Sequence, residues 1–323
     1  MTLHEDAELY KDAIVATAQR KGIPEIYIEK DYSVTVALYA IFSSDIAHRT
    51  VFKGGTALSK CYHIIERFSE DIDLTILQNG LENPTQLKQR LRVISKIVET
   101  IIPEVTIEGI TDKTGQVRKT VHSYPKAFDF DFGQVREHII VEASVFGSFE
   151  PHETATIDCF IAEMMRNTKQ FALIETYNLA PFTIQVLSTR RTLCEKIMSL
   201  IRFSYSETAI IDLNNKIRHI YDIHKMLLVP DIMTFFNSID FEVMLVRVGH
   251  DDLKKHKENT WIFNHPSKAI IFSDIDNTWD KLKNTYTTSF KKLLYGELPS
   301  EEKILETLHK ISKGLEIIAW NLQ

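Results

Sequence analysis

Residues 51–76, VFKGGTALSKCYHIIERFSEDIDLTI, limit the possible folds of this chain more than any other stretch. Val51 and Phe52 read as a strand end. Gly54 and Gly55 follow, and they permit torsions and close approaches that a Cβ would block. Over residues 56–65 the apolar positions Ala57, Leu58, Cys61, Ile64 and Ile65 predict an amphipathic helix. Free backbone N–H groups at such a helix start, together with its dipole, attract phosphate. Lys53 and Arg67 flank the turn and helix and add positive charge.

SEDIDLTI, residues 69–76, predicts a second strand. Side chains alternate faces along a strand, so Ile72, Leu74 and Ile76 point one way and Asp71, Asp73 and Thr75 the other. Two carboxylates about 7 Å apart on one strand face repel each other unless a cation lies between them. Mg²⁺, or Mn²⁺ in its place, takes oxygen ligands and keeps substrate phosphates in its shell. A lone Asp-x-Asp is more often a half-exposed strand with outward acids. Here Gly-Gly, a helix and Ser69, two residues before the first Asp, favour the cation site.

The remaining chain predicts helices over residues 7–20 and 27–43, broken at Gly22-Ile23-Pro24, and another over 85–100. Strands are expected at 105–110, 117–125, 138–146 and 181–188, with turns at 112–115 and near Gly133. After Thr189 the pattern is almost wholly helical through Trp320. The division expected is residues 1–188 with a small mixed sheet and flanking helices, then a mostly helical domain over 189–323.

A net charge of −6 gives no general attraction to nucleic acid. Seven Lys/Arg against four acids over residues 186–229 would nevertheless give a local basic wall of the kind an RNA or triphosphate requires. A solvated helical surface is the commoner fate of such a cluster. No apolar run is long enough to span a bilayer. The N-terminus lacks a signal-peptide pattern, and three scattered cysteines form neither a zinc motif nor a disulfide framework. The cytoplasm is the expected location.

The Gly-Gly…Asp-x-Asp arrangement resembles the polymerase-β-like nucleotidyltransferase superfamily. KGGTALSK…RFSEDIDL is more similar still to the AbiEii/AbiGii nucleotidyltransferase toxins of type IV toxin–antitoxin systems. The spacer of 15 residues between Gly55 and Asp71 is longer than in many polymerase-β-type enzymes and matches the AbiEii-like branch. IEKDYSVTVAL, RRTLCEKIMSL and KIRHIYDIHKM resemble further family helices, so the likeness runs in patches over residues 29–226.

The resemblance implies an α+β fold, with a polymerase-β-like core and a helical C-terminal domain. It implies a Mg²⁺-dependent enzyme that moves a nucleotide from a nucleoside triphosphate to an RNA acceptor such as a tRNA 3′ end. A cognate antitoxin is the implied partner. Asp71 and Asp73 would hold the metal, while Lys53, Gly54, Gly55, Thr56, Arg67 and Ser69 would bind the nucleotide. Lys196 would neutralise the leaving pyrophosphate, and Asp222 would be a catalytic-site residue, orienting Lys196 or the nucleotide.

Glu142, a lone acid in HIIVEASVF, is either the third metal carboxylate or an outward strand residue. Asp129 and Asp131 form a rival pair that a hairpin edge explains as well. Arg218, Asp222 and Lys225 share a helix face whose buried side is expected to be Ile217, Ile220, Tyr221 and Leu228. Asp274 and Asp276 imitate a phosphatase signature, but only 45 residues follow Thr278, so helix capping is the expectation there. Two further readings stay open. The acceptor is a protein or small molecule, or the chain binds nucleotide without turnover.

Overall fold

The structure is a computed structural model that describes residues 1–78, 80–128, 136–145, 151–255 and 260–322. The chain divides into two compact units, one of residues 1–63 and 68–187, the other of residues 64–67 and 188–323.

The first unit holds a seven-stranded mixed sheet: β1 (Thr50–Lys53), β2 (Ile72–Ile76), β3 (Glu104–Val105), β4 (Val117–His122), β5 (Ile139–Ser144), β6 (His152–Ile157) and β7 (Phe182–Leu187). The order across the sheet is β3-β4-β5-β2-β1-β7-β6. Its helices are α1 (Ala7–Lys21), α2 (Glu25–Phe42), α3 (Gly54–Lys60), α4 (Pro84–Glu99), α5 (Phe160–Asn167) and α6 (Phe171–Thr176). Strand alternation sorts the sheet faces as expected. Ile72, Leu74 and Ile76 are buried with Val141 and Ala143 of β5 in one apolar cluster. Leu87, Leu91, Ile94 and Val98, on one face of α4, and Val34, Leu38 and Ile41 of α2 complete that cluster.

Nearly all of α2 is buried, including the consecutive charges Glu29, Lys30 and Asp31. Each has partners, as buried charges require. Glu29 accepts from the Ala127 N–H. Asp31 meets Lys60 at 2.5 Å and the Phe160 N–H at 2.8 Å. Lys30 donates to the carbonyls of Arg136 and His138.

Three local expectations change. The helix predicted over 56–65 runs from Gly54 to Lys60, because His63 takes a left-handed backbone (φ 53°) and residues 64–67 join the second unit. The strand expected at 105–110 is two residues long, since Gly109 (φ 75°) turns the chain away. β6 and the short helices α5 and α6 were not anticipated: HETATI is a polar, mostly exposed strand whose pattern shows only once it pairs with β7.

The second unit is helical: α7 (Thr189–Ser204), α8 (Ala209–Asn215), α9 (Ile217–Leu227), α10 (Pro230–Phe236), α11 (Ile239–Lys255), α12 (Ile270–Ser273), α13 (Ile275–Thr285) and α14 (Glu301–Glu316). No helix among the described residues is long and apolar enough to cross a membrane. Leu228, expected in the core, follows the end of α9 and is 63% exposed. Asp274 occupies the N-cap of α13 without capping its backbone; its carboxylate accepts instead from the Asn277 side chain at 2.8 Å.

Candidate active site

β1, α3 and β2 carry the first part of the site, because the glycine turn joins β1 to α3 beside β2. β1 and β2 are antiparallel with Lys53 opposite Asp73. Gly54 has φ 82°, a conformation that glycine adopts without penalty. A Cβ built on Gly54 would overlap the Asp73 carboxylate. The bare glycine therefore makes room for the Asp73 carboxylate, a role beyond the phosphate approach that the sequence suggested.

Thr56 ties the same elements together from beneath. Its buried hydroxyl donates to the Asp71 carbonyl at 2.6 Å and lies 3.0 Å from Ser69 Oγ. Gly55 and Ser69 are half-buried. The N-cap residue Lys53 makes no side-chain capping hydrogen bond with α3.

β5 supplies the third acid. It runs parallel to β2 with Glu142 in register with Asp73, so the two side chains stand on one face about 4.8 Å apart at the backbone. Lys119 of β4 is in register with Glu142 and pairs with it at 3.3 Å. The sheet thus presents a row, Lys119–Glu142–Asp73–Lys53, with Asp71 two residues before Asp73. Asp129 and Asp131, the rival pair, lie outside the described residues.

Arg136 was not singled out from the sequence. Its guanidinium pairs with Asp71 at 2.5 Å, and its backbone N–H donates to Glu70 at 3.0 Å. Burial opposes the charge on Arg136, but Asp71 and Glu70 outweigh it and raise its pKa. Lys30 fixes the same segment through its bonds to the 136 and 138 carbonyls and lies 3.4 Å from Glu70. Burial lowers the Lys30 pKa to about 8, with Glu70 acting in the opposite direction. Only the long-range pairing exposes Arg136 as a site residue, since 65 residues separate it from Asp71.

The donor set suits a hard divalent cation, because it offers carboxylate oxygens alone along one sheet face. Among the described residues no group of three or more His, Cys, Asp or Glu side chains is gathered closely enough to hold an ion. Asp71 is turned toward Arg136 and Glu142 toward Lys119, so cationic side chains supply the compensation that clustered carboxylates need.

The remaining predicted residues belong to the second unit. Arg67 is buried, and its Nε and Nη2 each donate to Asp222 at 2.7 Å. Lys196 donates to Asp222 Oδ2 at 2.7 Å. Burial alone would raise the Asp222 carboxyl, but the charges of Arg67 and Lys196 prevail and hold it well below the usual carboxylate range. Arg67 was expected to flank phosphate; its buried guanidinium pairs with Asp222, because a buried charge requires an opposite charge beside it.

The basic wall expected over 186–229 is largely neutralised. Arg191 is buried between Glu195 and Asp251, Lys196 is held by Asp222, and Lys225 pairs with Glu66. Both the polar stripe of α7 (Thr192, Lys196, Ser199) and its apolar stripe are buried.

The overall fold is similar to that of MenT4, a nucleotidyltransferase toxin from Mycobacterium tuberculosis H37Rv, with a TM-score of 0.54 and 14% identity over 94% of this chain and 90% of that one. No curated protein matched the sequence at a significant level. Residues 36–308 match the family model described as "Nucleotidyl transferase AbiEii toxin, Type IV TA system", and the chain belongs to that family. It is a nucleotidyltransferase toxin of a type IV toxin–antitoxin system.

Proposed function

We propose that the enzyme transfers a nucleoside monophosphate from a nucleoside triphosphate to RNA, with a tRNA 3′ end as the acceptor and Mg²⁺ or Mn²⁺ as cofactor. The single observation that carries the catalytic part of this reading is the packing of the Asp73 carboxylate against Gly54 in the strand–turn–helix unit, in register with Glu142. Asp71 and Asp73 would hold the cations, with Glu142 as the third ligand. A cation bound there would lower the pKa of the acceptor hydroxyl and offset charge on the α-phosphate.

The protein's own groups do the rest. Gly54 lets Asp73 approach the backbone, and Thr56 sets Ser69 and the Asp71 peptide against the start of α3. Lys53, Gly55 and Ser69 face the triphosphate. The acceptor oxygen attacks the α-phosphorus in line, the bond to the β-phosphate breaks, and pyrophosphate leaves. The resemblance gives Lys196 the task of neutralising that leaving group. An ammonium fixed 2.7 Å from Asp222 supports a rigidly oriented lysine, with Asp222 and Arg67 as its positioning residues. Family membership supports a cognate antitoxin as the protein partner.

Labelled nucleoside triphosphates incubated with total RNA or with protein lysate separate the acceptors, and RNA labelling is expected. Replacing both Asp71 and Asp73 by Asn should reduce transfer on the order of 10³-fold or more while the protein stays folded. Undiminished transfer by that double variant, or toxicity on expression equal to the wild type, would remove the catalytic assignment.

A further inference from the structure

A groove of about 760 Å³ lies in the first unit between α4 and the segment leading into β4. Five cations line it, Lys88, Arg92, Lys96, Lys113 and Arg118, and no acid among the described residues does. That is a strong local contrast in a chain of net charge −6. Lys96 pairs with Glu99 and Lys113 with Glu104. Arg118 donates from Nε to Ser95 Oγ at 2.6 Å and has no acidic partner among the described residues. The side chains of Lys88 and Arg92, exposed on adjacent turns of α4, have no ionic or hydrogen-bonding partner among the described residues. Arg90 on the same helix is, by contrast, neutralised by Glu82.

Lys88, Arg92 and Lys96 repeat every four residues, so they form a stripe about 12 Å long. A stripe of that length is long enough to meet several successive phosphates of one nucleic-acid strand. No aromatic side chain among the described residues lines the groove, so recognition there would fall on a sugar–phosphate backbone. Arg118 and Lys119 are consecutive on β4 and so project to opposite faces of the sheet: the first lines the groove on the α4 side, and the second pairs with Glu142 on the face of the carboxylate row.

We propose that this groove binds the sugar–phosphate backbone of a duplex region of the acceptor RNA, in a part of that RNA remote from its reacting end. The proposal rests on the RNA-acceptor reading above. Val93 and Ile97 add apolar surface, which makes an acidic polypeptide the competing occupant.

Fluorescently labelled bulk transfer RNA would be titrated with the full-length wild type, with Lys88→Glu/Arg92→Glu, and with Lys310→Glu/Lys313→Glu, an equal charge change on exposed residues of α14. The first variant is expected to bind at least about tenfold more weakly, and its slope of log K against log salt should flatten by about 2. The α14 control should change less than about twofold. Lys88→Gln/Arg92→Gln should give a smaller loss in the same direction, which shows that the effect is more than repulsion by new acids. Binding of a fluorescent nucleoside triphosphate should be equal in all four proteins.

RNA binding by Lys88→Glu/Arg92→Glu that equals the wild type overturns the groove and leaves the RNA-acceptor reading intact. Equal losses in that variant and the α14 control also overturn it. Loss of poly-glutamate binding with RNA binding retained would assign the groove to an acidic partner instead. If the wild type does not bind RNA yet labels another acceptor, the RNA reading fails and the groove proposal fails with it.

Discussion

Asp73 and Asp222 are the same residue type in opposite circumstances. Asp73 belongs to an open row of acids on one sheet face, where the side chains of its neighbours Asp71 and Glu142 are 32% and 39% exposed. Asp222 is fully buried on α9, with Arg67 and Lys196 occupying its oxygens. In the first region, carboxylates are held near one another by backbone register, and single cationic side chains compensate them at the ends. In the second, two cations surround one carboxylate and its charge is fully spent. The first arrangement leaves acid groups accessible to ligands. The second fixes side chains, as a buried ion cluster does.

Substitutions can break that contrast. Of the single substitutions Gly54→Ala, Asp222→Asn and Lys119→Gln, the first should have the largest effect on activity, because the new methyl meets the Asp73 carboxylate and the backbone must leave φ 82°. Transfer should fall on the order of 100-fold, with a stability cost of about 1–3 kcal/mol. If steady-state transfer is unchanged, the tight Gly54–Asp73 contact has no functional role.

Asp222→Asn should act mainly on stability, costing about 3–5 kcal/mol in denaturant titrations, because two buried cations lose their counter-charge. Its pH signature is specific. The folded Asp222 pKa lies below the unfolded value near 4, so the unfolded chain binds more protons in the interval between them. The stabilisation from Asp222 is therefore complete above about pH 4 and is lost as pH falls through the folded value. The stability difference between wild type and variant should narrow on acidification below about pH 4. A difference that is constant over that range would contradict the ion-cluster account.

Lys119→Gln should do least. It frees a half-exposed Glu142 from a partly exposed pair, so stability should shift by less than about 1 kcal/mol and transfer by no more than about threefold. A tenfold rise in the divalent-ion concentration needed for half-maximal transfer would instead give Lys119 a part in setting the site's charge.

The sequence was most readable where local periodicity and local chemistry coincide. Gly54-Gly55 and the alternation of Asp71 and Asp73 with Ile72 and Leu74 gave the strand–turn–helix–strand unit, because strand parity and glycine torsions are properties of neighbouring residues. The end of α3 was less clear, since Ile64 and Ile65 continue a helical spacing that the His63 backbone interrupts. Leu228 and the short β3 were misread for a related reason: apolar spacing does not say where an element ends. Arg67 looked like flanking charge suited to phosphate, and pattern alone could not show that its guanidinium and the Lys196 ammonium meet at Asp222.

By itself, the chain's order of residues determined which acids share a strand face, where the backbone turns without a Cβ, and that a sheet-bearing segment precedes a helical one. Tertiary structure alone decided that Glu142 stands beside Asp73, that Arg136 meets Asp71, and that most of the cations between residues 186 and 229 are neutralised. Strand register and ion pairing join residues tens to more than a hundred positions apart. Their free energies depend on burial and on which opposite charge lies within a few ångströms, and neither quantity exists until the chain has folded.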